Sequence, residues 1–225
     1  MKATTYTTIL AIVLLTLISC SGTKNAVKDF DERTTNHRRI AIAPFQSTIT
    51  LKESQRAEIS DDELAQLNLA QGKEVQNAVE SYLLNCDLRV RIQSQSVTNG
   101  RLKEAGIDLA TIADYDVTKL ADILGVDAVV TGSIETEKPM TDAVAHGINI
   151  ANDIFRNTNS PLGVLGSRIN TTTNRGNCNL ALYEKHEGDR LWFHRGEINC
   201  GVGSETIDVI EKLMKRGARK FPYRT

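Results

Sequence analysis

Leu120-Ala121-Asp122-Ile123-Leu124-Gly125-Val126-Asp127-Ala128-Val129-Val130-Thr131-Gly132-Ser133-Ile134 is the stretch whose reading decides the fold. Val117, Leu120, Ala121 and Leu124 recur at helical spacing, and Gly125 is the residue type that ends a helix in the left-handed conformation. Val126 to Ile134 is then the most strongly apolar strand in the chain, predicted to lie at the centre of a sheet. A helix running through one glycine into a buried strand predicts an α/β domain.

Upstream, Arg38-Arg39-Ile40-Ala41-Ile42-Ala43-Pro44-Phe45 reads as a first strand with Ile40 and Ile42 inward, ending near Pro44 because proline lacks a ladder donor. Gln46 to Ile59 is polar and reads as a connection. Ser60-Asp61-Asp62-Glu63 is a capping box that opens a long helix. Leu64, Leu67, Gln71, Val75, Ala78 and Tyr82 form its expected buried stripe, and Gly72 is its weak point. Leu88 to Ile92 alternates apolar with charged residues and predicts a strand with one covered face. Val97 to Gly106 predicts a short helix ended by Gly106.

Downstream, Thr141 to Phe155 carries an apolar helical stripe, and Asn157 to Arg168 reads as a loop. Cys178 to Glu184 and Leu191 to Cys200 predict a hairpin around Glu187-Gly188-Asp189. Ser204 is expected to open a last helix with Ile207, Ile210, Leu213 and Met214 on one face. The whole reads as a mixed sheet with helices packed on it, in the order β-α-β-α-α-β, an insertion, a β-hairpin and α.

The N-terminal segment is of another kind. Lys2 supplies a positive charge, Ile9 to Ile18 an apolar run and Ser19 a small residue, the anatomy of an export signal. The run is too short for a bilayer span, which takes roughly 20 apolar residues. Leu17-Ile18-Ser19-Cys20 resembles the lipobox of bacterial lipoproteins. That resemblance implies a signal peptide over residues 1–19, a diacylglyceryl thioether and an acylated amino group at Cys20, and durable membrane attachment. Ser21 after the cysteine, where aspartate is absent, resembles an outer-membrane address. Residues 20–37 read as a flexible tether, and 38–225 as one domain with an insertion at about 135–176.

A net charge of −1 and 5% aromatics point away from a nucleic-acid surface. With a hairpin tip at Gly188-Asp189, Cys178 falls opposite Cys200, close enough for a disulfide, while Cys86 is expected to be a free thiol. His37, His146, His186 and His194 are scattered, and neither metal-ligand spacings nor a nucleophile elbow occurs, so no metal, cofactor or catalytic residue is assigned. Gly201-Val202-Gly203-Ser204 ahead of a helix offers amides to an anion, but a turn and cap account for it as well. Lys212, Lys215, Arg216, Arg219 and Lys220 form the one charge cluster weighed, as a solvated face or as a contact for anionic lipid heads or an acidic partner.

These elements resemble a group of bacterial lipoproteins and envelope proteins: the curli-secretion channel lipoprotein, the penicillin-binding-protein activator lipoproteins (LpoB-like) and the N-terminal domain of TolB. Carrying the resemblance are Ile40 to Phe45 as a first strand ending in Pro-Phe, Leu120 to Ser133 as the helix–Gly–strand signature, and Leu191-Trp192-Phe193 after Gly188 in the later hairpin. It implies a TolB N-terminal-like fold and a non-catalytic, lipid-anchored adaptor in the periplasm, bound to an envelope protein such as a cell-wall synthase or secretion component. Loop candidates for the partner are Gln46 to Ile59 and Thr141 to Arg168. The alternatives are a subunit of an oligomeric outer-membrane channel and, last, an envelope-polymer hydrolase. Ile169 to Asn174 is polar, which departs from the amphipathic hairpin of the channel members.

Overall fold

A computed structural model describes residues 25–138 and 174–225. Its elements are α1 (Phe30–Arg33), β1 (Arg39–Ile42), β2 (Gln46–Thr50), α2 (Glu53–Arg56), α3 (Asp61–Leu84), β3 (Arg91–Gln93) and α4 (Gln95–Glu104). A 3-10 turn at Ile112–Asp114 leads to α5 (Val117–Leu124), β4 (Ala128–Glu137), β5 (Asn174–Glu184), β6 (Arg190–Cys200) and α6 (Thr206–Arg219). The sheet runs β3-β1-β4-β5-β6, with β2 beside the second half of β4. Strands β3, β1, β2 and β4 are mutually parallel where they pair, and β5 and β6 are antiparallel. It is the mixed α/β sheet expected, with the helix–Gly–strand stretch at its heart.

Local chemistry accounts for the best-read parts. Asp116 caps α5 by accepting from the Thr118 amide at 2.8 Å, and Gly125 closes the helix at φ +62°. Ser60 and Glu63 form the reciprocal box, the Ser60 amide donating to the Glu63 carboxylate at 2.9 Å. Ile40 and Ile42 face α3 and α6, while Ala41 and Ala43 face α4 and α5, so β1 is covered on both sides. After α6, Tyr223 packs edge-on against Phe30 and Phe221 against Trp192, with ring centroids 5.2 and 5.5 Å apart, which ties the C-terminus to α1.

Several expectations are corrected. The segment read as a tether is ordered from residue 25 onward. The Val27 amide donates to Leu191 O at 3.0 Å, the Phe193 amide donates to Asn25 O at 3.2 Å, and Phe30 and Thr34 are buried. These two bonds cover part of the β6 edge, which composition alone does not reveal. Gln46–Thr50 is a strand: β4 outruns β1, and β2, with three β-branched residues in a row at Thr48, Ile49 and Thr50, pairs with Ser133 to Glu137 on the open half of its edge.

Gly72 does not divide α3. It lies where the backbone of Phe45 crosses the helix, and the Phe45 amide donates to Gly72 O at 3.3 Å. The stripe of α3 is rotated accordingly, burying Gln71, Val75, Gln76, Val79 and Leu83 and leaving Leu67 exposed. In α6 the cap is Glu205 rather than Ser204, and Val209, not Ile207, is buried.

The hairpin register also differs. The loop spans residues 185–189, with Gly188 at φ +70°, and pairs Cys178 with Gly196 and Cys200 with Asn174. Cys178 and Cys200 are free thiols separated by four residues along the ladder, roughly 13 Å, whereas a disulfide needs Cα atoms within about 7 Å. Both still face the α6 side. A slip by an even number of residues preserves the face of every side chain, so hydrophobic alternation cannot tell the two registers apart. A bulge at Leu191 then turns both Leu191 and Trp192 into the same core. The expected helix over Thr141 to Phe155, and most of the expected insertion, lie outside the described residues.

Candidate functional site

The two faces of the sheet are covered unequally. Helices α3 and α6 pack along the whole of one face. On the other, the second core is built from α4, α5, β1 and the start of β4. Beyond Val129 the cover thins: among the described residues α5 still reaches β5, while Arg195, Glu197 and Asn199 of β6 are exposed. Where the cover stops, a cleft of about 240 Å³ opens between the 3-10 turn with α5 and the strands.

The cleft wall combines aromatic and uncharged polar groups. Tyr115 is 40% exposed on the helical side, and Tyr183 and Phe193 are half-buried on the sheet side. Thr131, Ser133 and Asn179 lie between them, the Asn179 amide donating to Ser133 Oγ at 3.2 Å. Arg190 places its guanidinium 4.9 Å from the centre of the Phe193 ring. The lining carries no carboxylate, imidazole, thiol or lysine. It offers hydrogen bonds and aromatic area, the ingredients of recognition.

Cys20 lies outside the described residues. Lys212, Lys215, Arg216, Arg219 and Lys220 sit on the outer side of α6, all exposed and strung along the helix rather than converging on a pocket. Arg216 donates to Glu197 O at 3.3 Å and Lys212 reaches the Cys200 thiol at 3.7 Å. At the head of the helix, Glu205 and Asp208 form a capping box, so carboxylates already serve the amides that Gly201 to Ser204 was expected to lead into.

Three buried or clustered ionic features went unread in the sequence. Glu184, Glu187 and Asp189 bring their carboxylates within 4.8 Å of one another at the hairpin turn, a spacing that suits a metal ion. The Arg33 guanidinium of α1 bonds to Glu184 and, at 2.9 Å, to Asp189, so a cation of the chain itself fills that role. His37 bonds Tyr223 Oη at 2.5 Å beneath α1. Burial pushes the Tyr223 phenol well above its usual range, and burial, chiefly, holds His37 below its own despite the nearby Asp127 charge.

The third feature is a pocket of about 430 Å³ at the start of β1 and β3, lined by Arg38, Arg39, Arg89 and Arg91. In sequence the alternation of Arg89 and Arg91 looked like an ordinary wet strand face. Only the parallel pairing of β1 with β3 puts Arg39 beside Arg91.

No protein family matches the chain, and no curated protein does. Among solved structures it is similar to the PelC dodecamer from Paraburkholderia phytofirmans, at 11% identity over 84% of this chain and 90% of that one, with a TM-score of 0.44. It is similar to lipoprotein GNA1162 from Neisseria meningitidis, at 13% identity over 81% and 94%, TM-score 0.41. The C-terminal domain of LpoB from Salmonella enterica matches at 8% identity over 80% and 99%, TM-score 0.34.

Proposed function

We propose that this chain is a non-catalytic, lipid-anchored adaptor of the bacterial envelope that binds another protein with the sheet face that the described helices cover only in part. The observation that carries the proposal is the cleft beside β4 and β5, where Tyr115, Tyr183 and Phe193 stand among Thr131, Ser133 and Asn179 with no acid, imidazole or thiol in the lining. Aromatic groups in a desolvated pocket, ringed by polar ones, supply most of the energy in protein interfaces. Anchoring through Cys20 rests on the Leu17-Ile18-Ser19-Cys20 motif, and Ser21 supports an outer-membrane address with the domain in the periplasm.

The strand edges add to this reading. Among the described residues β6 is an edge strand, and the residue 25–27 segment bonds it around Leu191 and Phe193. Along its later half, Arg195 to Asn199, no further described strand pairs on that edge, where Glu197 O accepts from Arg216, so an extended peptide has room to add beside it. A ring-forming channel subunit is the second reading. It draws on the β4–β5 ladder, which stays paired out to Glu137 and Arg175.

The test has two parts. Cys20→Ala should shift the chain from membrane to soluble fractions; wild type found soluble in the cytosol with residues 1–19 attached refutes the anchor. A photo-crosslinking side chain at Tyr115 should capture one envelope protein in intact cells, and one at Lys215, on α6, should not. Capture only of further copies of this chain, in ring-sized assemblies, favours the channel reading.

A further inference from the structure

The pocket lined by Arg38, Arg39, Arg89 and Arg91 is not explained by the fold. Arg39 and Arg91 are register partners on neighbouring parallel strands, which lie about 4.8 Å apart, and like charges placed so close work against each other. Arg38 directly precedes Arg39 and Arg89 lies two residues before Arg91, which brings four guanidinium groups to one cavity. The side chains of Arg38, Arg39 and Arg91 make no ion pair with any described residue. Asp127, just before β4, is spent on main chain: it accepts from the amides of Arg38 at 2.7 Å and Arg39 at 2.9 Å.

Arg89 is held differently. It donates to Thr34 Oγ1 at 2.6 Å, pairs with Asp31 at 3.0 Å and lies 5.3 Å from the ring centres of both Phe30 and Tyr223. Its guanidinium is therefore fixed before any ligand arrives, which lowers the ordering cost of binding. The cavity volume, about 430 Å³, falls within the roughly 300–1,000 Å³ of small-molecule sites. The pairing of β1 with β3 itself gives no reason for arginine at positions 39 and 91, where the backbone alone makes the ladder.

We propose that Arg38, Arg39, Arg89 and Arg91 form a binding site for a phosphate-bearing ligand. Guanidinium forks match the oxygen geometry of phosphate two bonds at a time, and four of them suit a diphosphate or a phosphodiester beside other negative charge better than a single carboxylate. Such a group occurs in free solution and on anionic lipid headgroups, and the chemistry recognised is the same.

The experiment uses the full chain in neutral detergent, with inorganic pyrophosphate as the soluble probe and phosphatidylglycerol vesicles, against phosphatidylcholine vesicles, as the lipid one. Wild type should bind at least one, with thermal stability rising as pyrophosphate is added and not with sodium chloride at matched ionic strength. Arg39→Gln/Arg91→Gln should weaken binding about tenfold or more, and Arg39→Lys/Arg91→Lys, which keeps the charge and loses the fork, should fall between. The same Gln variant should unfold at or above the wild-type temperature without ligand, since a repulsion has been removed; this separates a binding defect from misfolding. Pyrophosphate binding without vesicle preference identifies a soluble ligand, and vesicle preference alone a headgroup. No binding of either probe by wild type, or equal binding by the Gln variant, overturns the site.

Discussion

Replacing Gly72 by alanine should destabilise the protein although alanine is the better helix former. In an open helix the change gains about 1 kcal/mol. At position 72 a new Cβ would fall far inside contact distance of the Phe45 carbonyl, which is backbone and cannot swing aside as a side chain can. Overpacking of this kind costs typically 1–3 kcal/mol. Separating α3 from residue 45 also breaks the bond from the Phe45 amide to Gly72 O, worth about 1 kcal/mol net. The sum is a loss of about 2 kcal/mol, and so a fall of roughly 4–8 °C in Tm for a domain this size. Gly100 in α4 provides the matched control: nothing lies within 4 Å of its Cβ direction, so Gly100→Ala should gain about 0.5–1 kcal/mol. Urea unfolding followed by circular dichroism measures both, with the change read in the midpoint at constant slope. A Gly72→Ala variant as stable as Gly100→Ala would refute the close crossing of Phe45 over α3.

Three further predictions follow from the buried polar groups. Cys178 and Cys200 should both be alkylated in denaturant without prior reduction, and in the folded protein Cys178, whose thiol burial pushes up to about 11, should react far more slowly than partly exposed Cys86; an intramolecular disulfide in the intact mass would count against the register. His37 and His194 are held below the usual histidine pKa, chiefly by burial, so the unfolded chain binds more protons as pH falls below about 6.5; their contribution to stability is full above that pH and is lost as pH drops toward their folded values. His37→Gln/His194→Gln should flatten that acid limb in urea titrations at pH 5 to 7.5, and an unchanged slope would exclude these two as its source. Arg33→Ala should leave the buried Glu184 carboxylate unpaired, lowering stability by about 2 kcal/mol, and should make melting temperature rise with added calcium, which wild type should not do.

What the sequence determined by itself is local. Ser60 and Glu63 cap α3, Gly125 ends α5, Pro44 stops β1 and the apolar run Ala128 to Ile134 makes the central strand, because caps, breakers and alternation act through neighbours a few residues apart. Tertiary structure decided the rest. An even slip of the hairpin leaves every side chain on its face, so the fate of Cys178 and Cys200 was fixed only by the loop and by the bulge at Leu191. The order of residues 25–37 depends on a β6 edge some 160 residues away, and the role of Gly72 depends on where the chain crosses it. Arg39 and Arg91 are unremarkable in two separate strands; parallel pairing alone makes them neighbours, and contacts of that range leave no period in the chain to read.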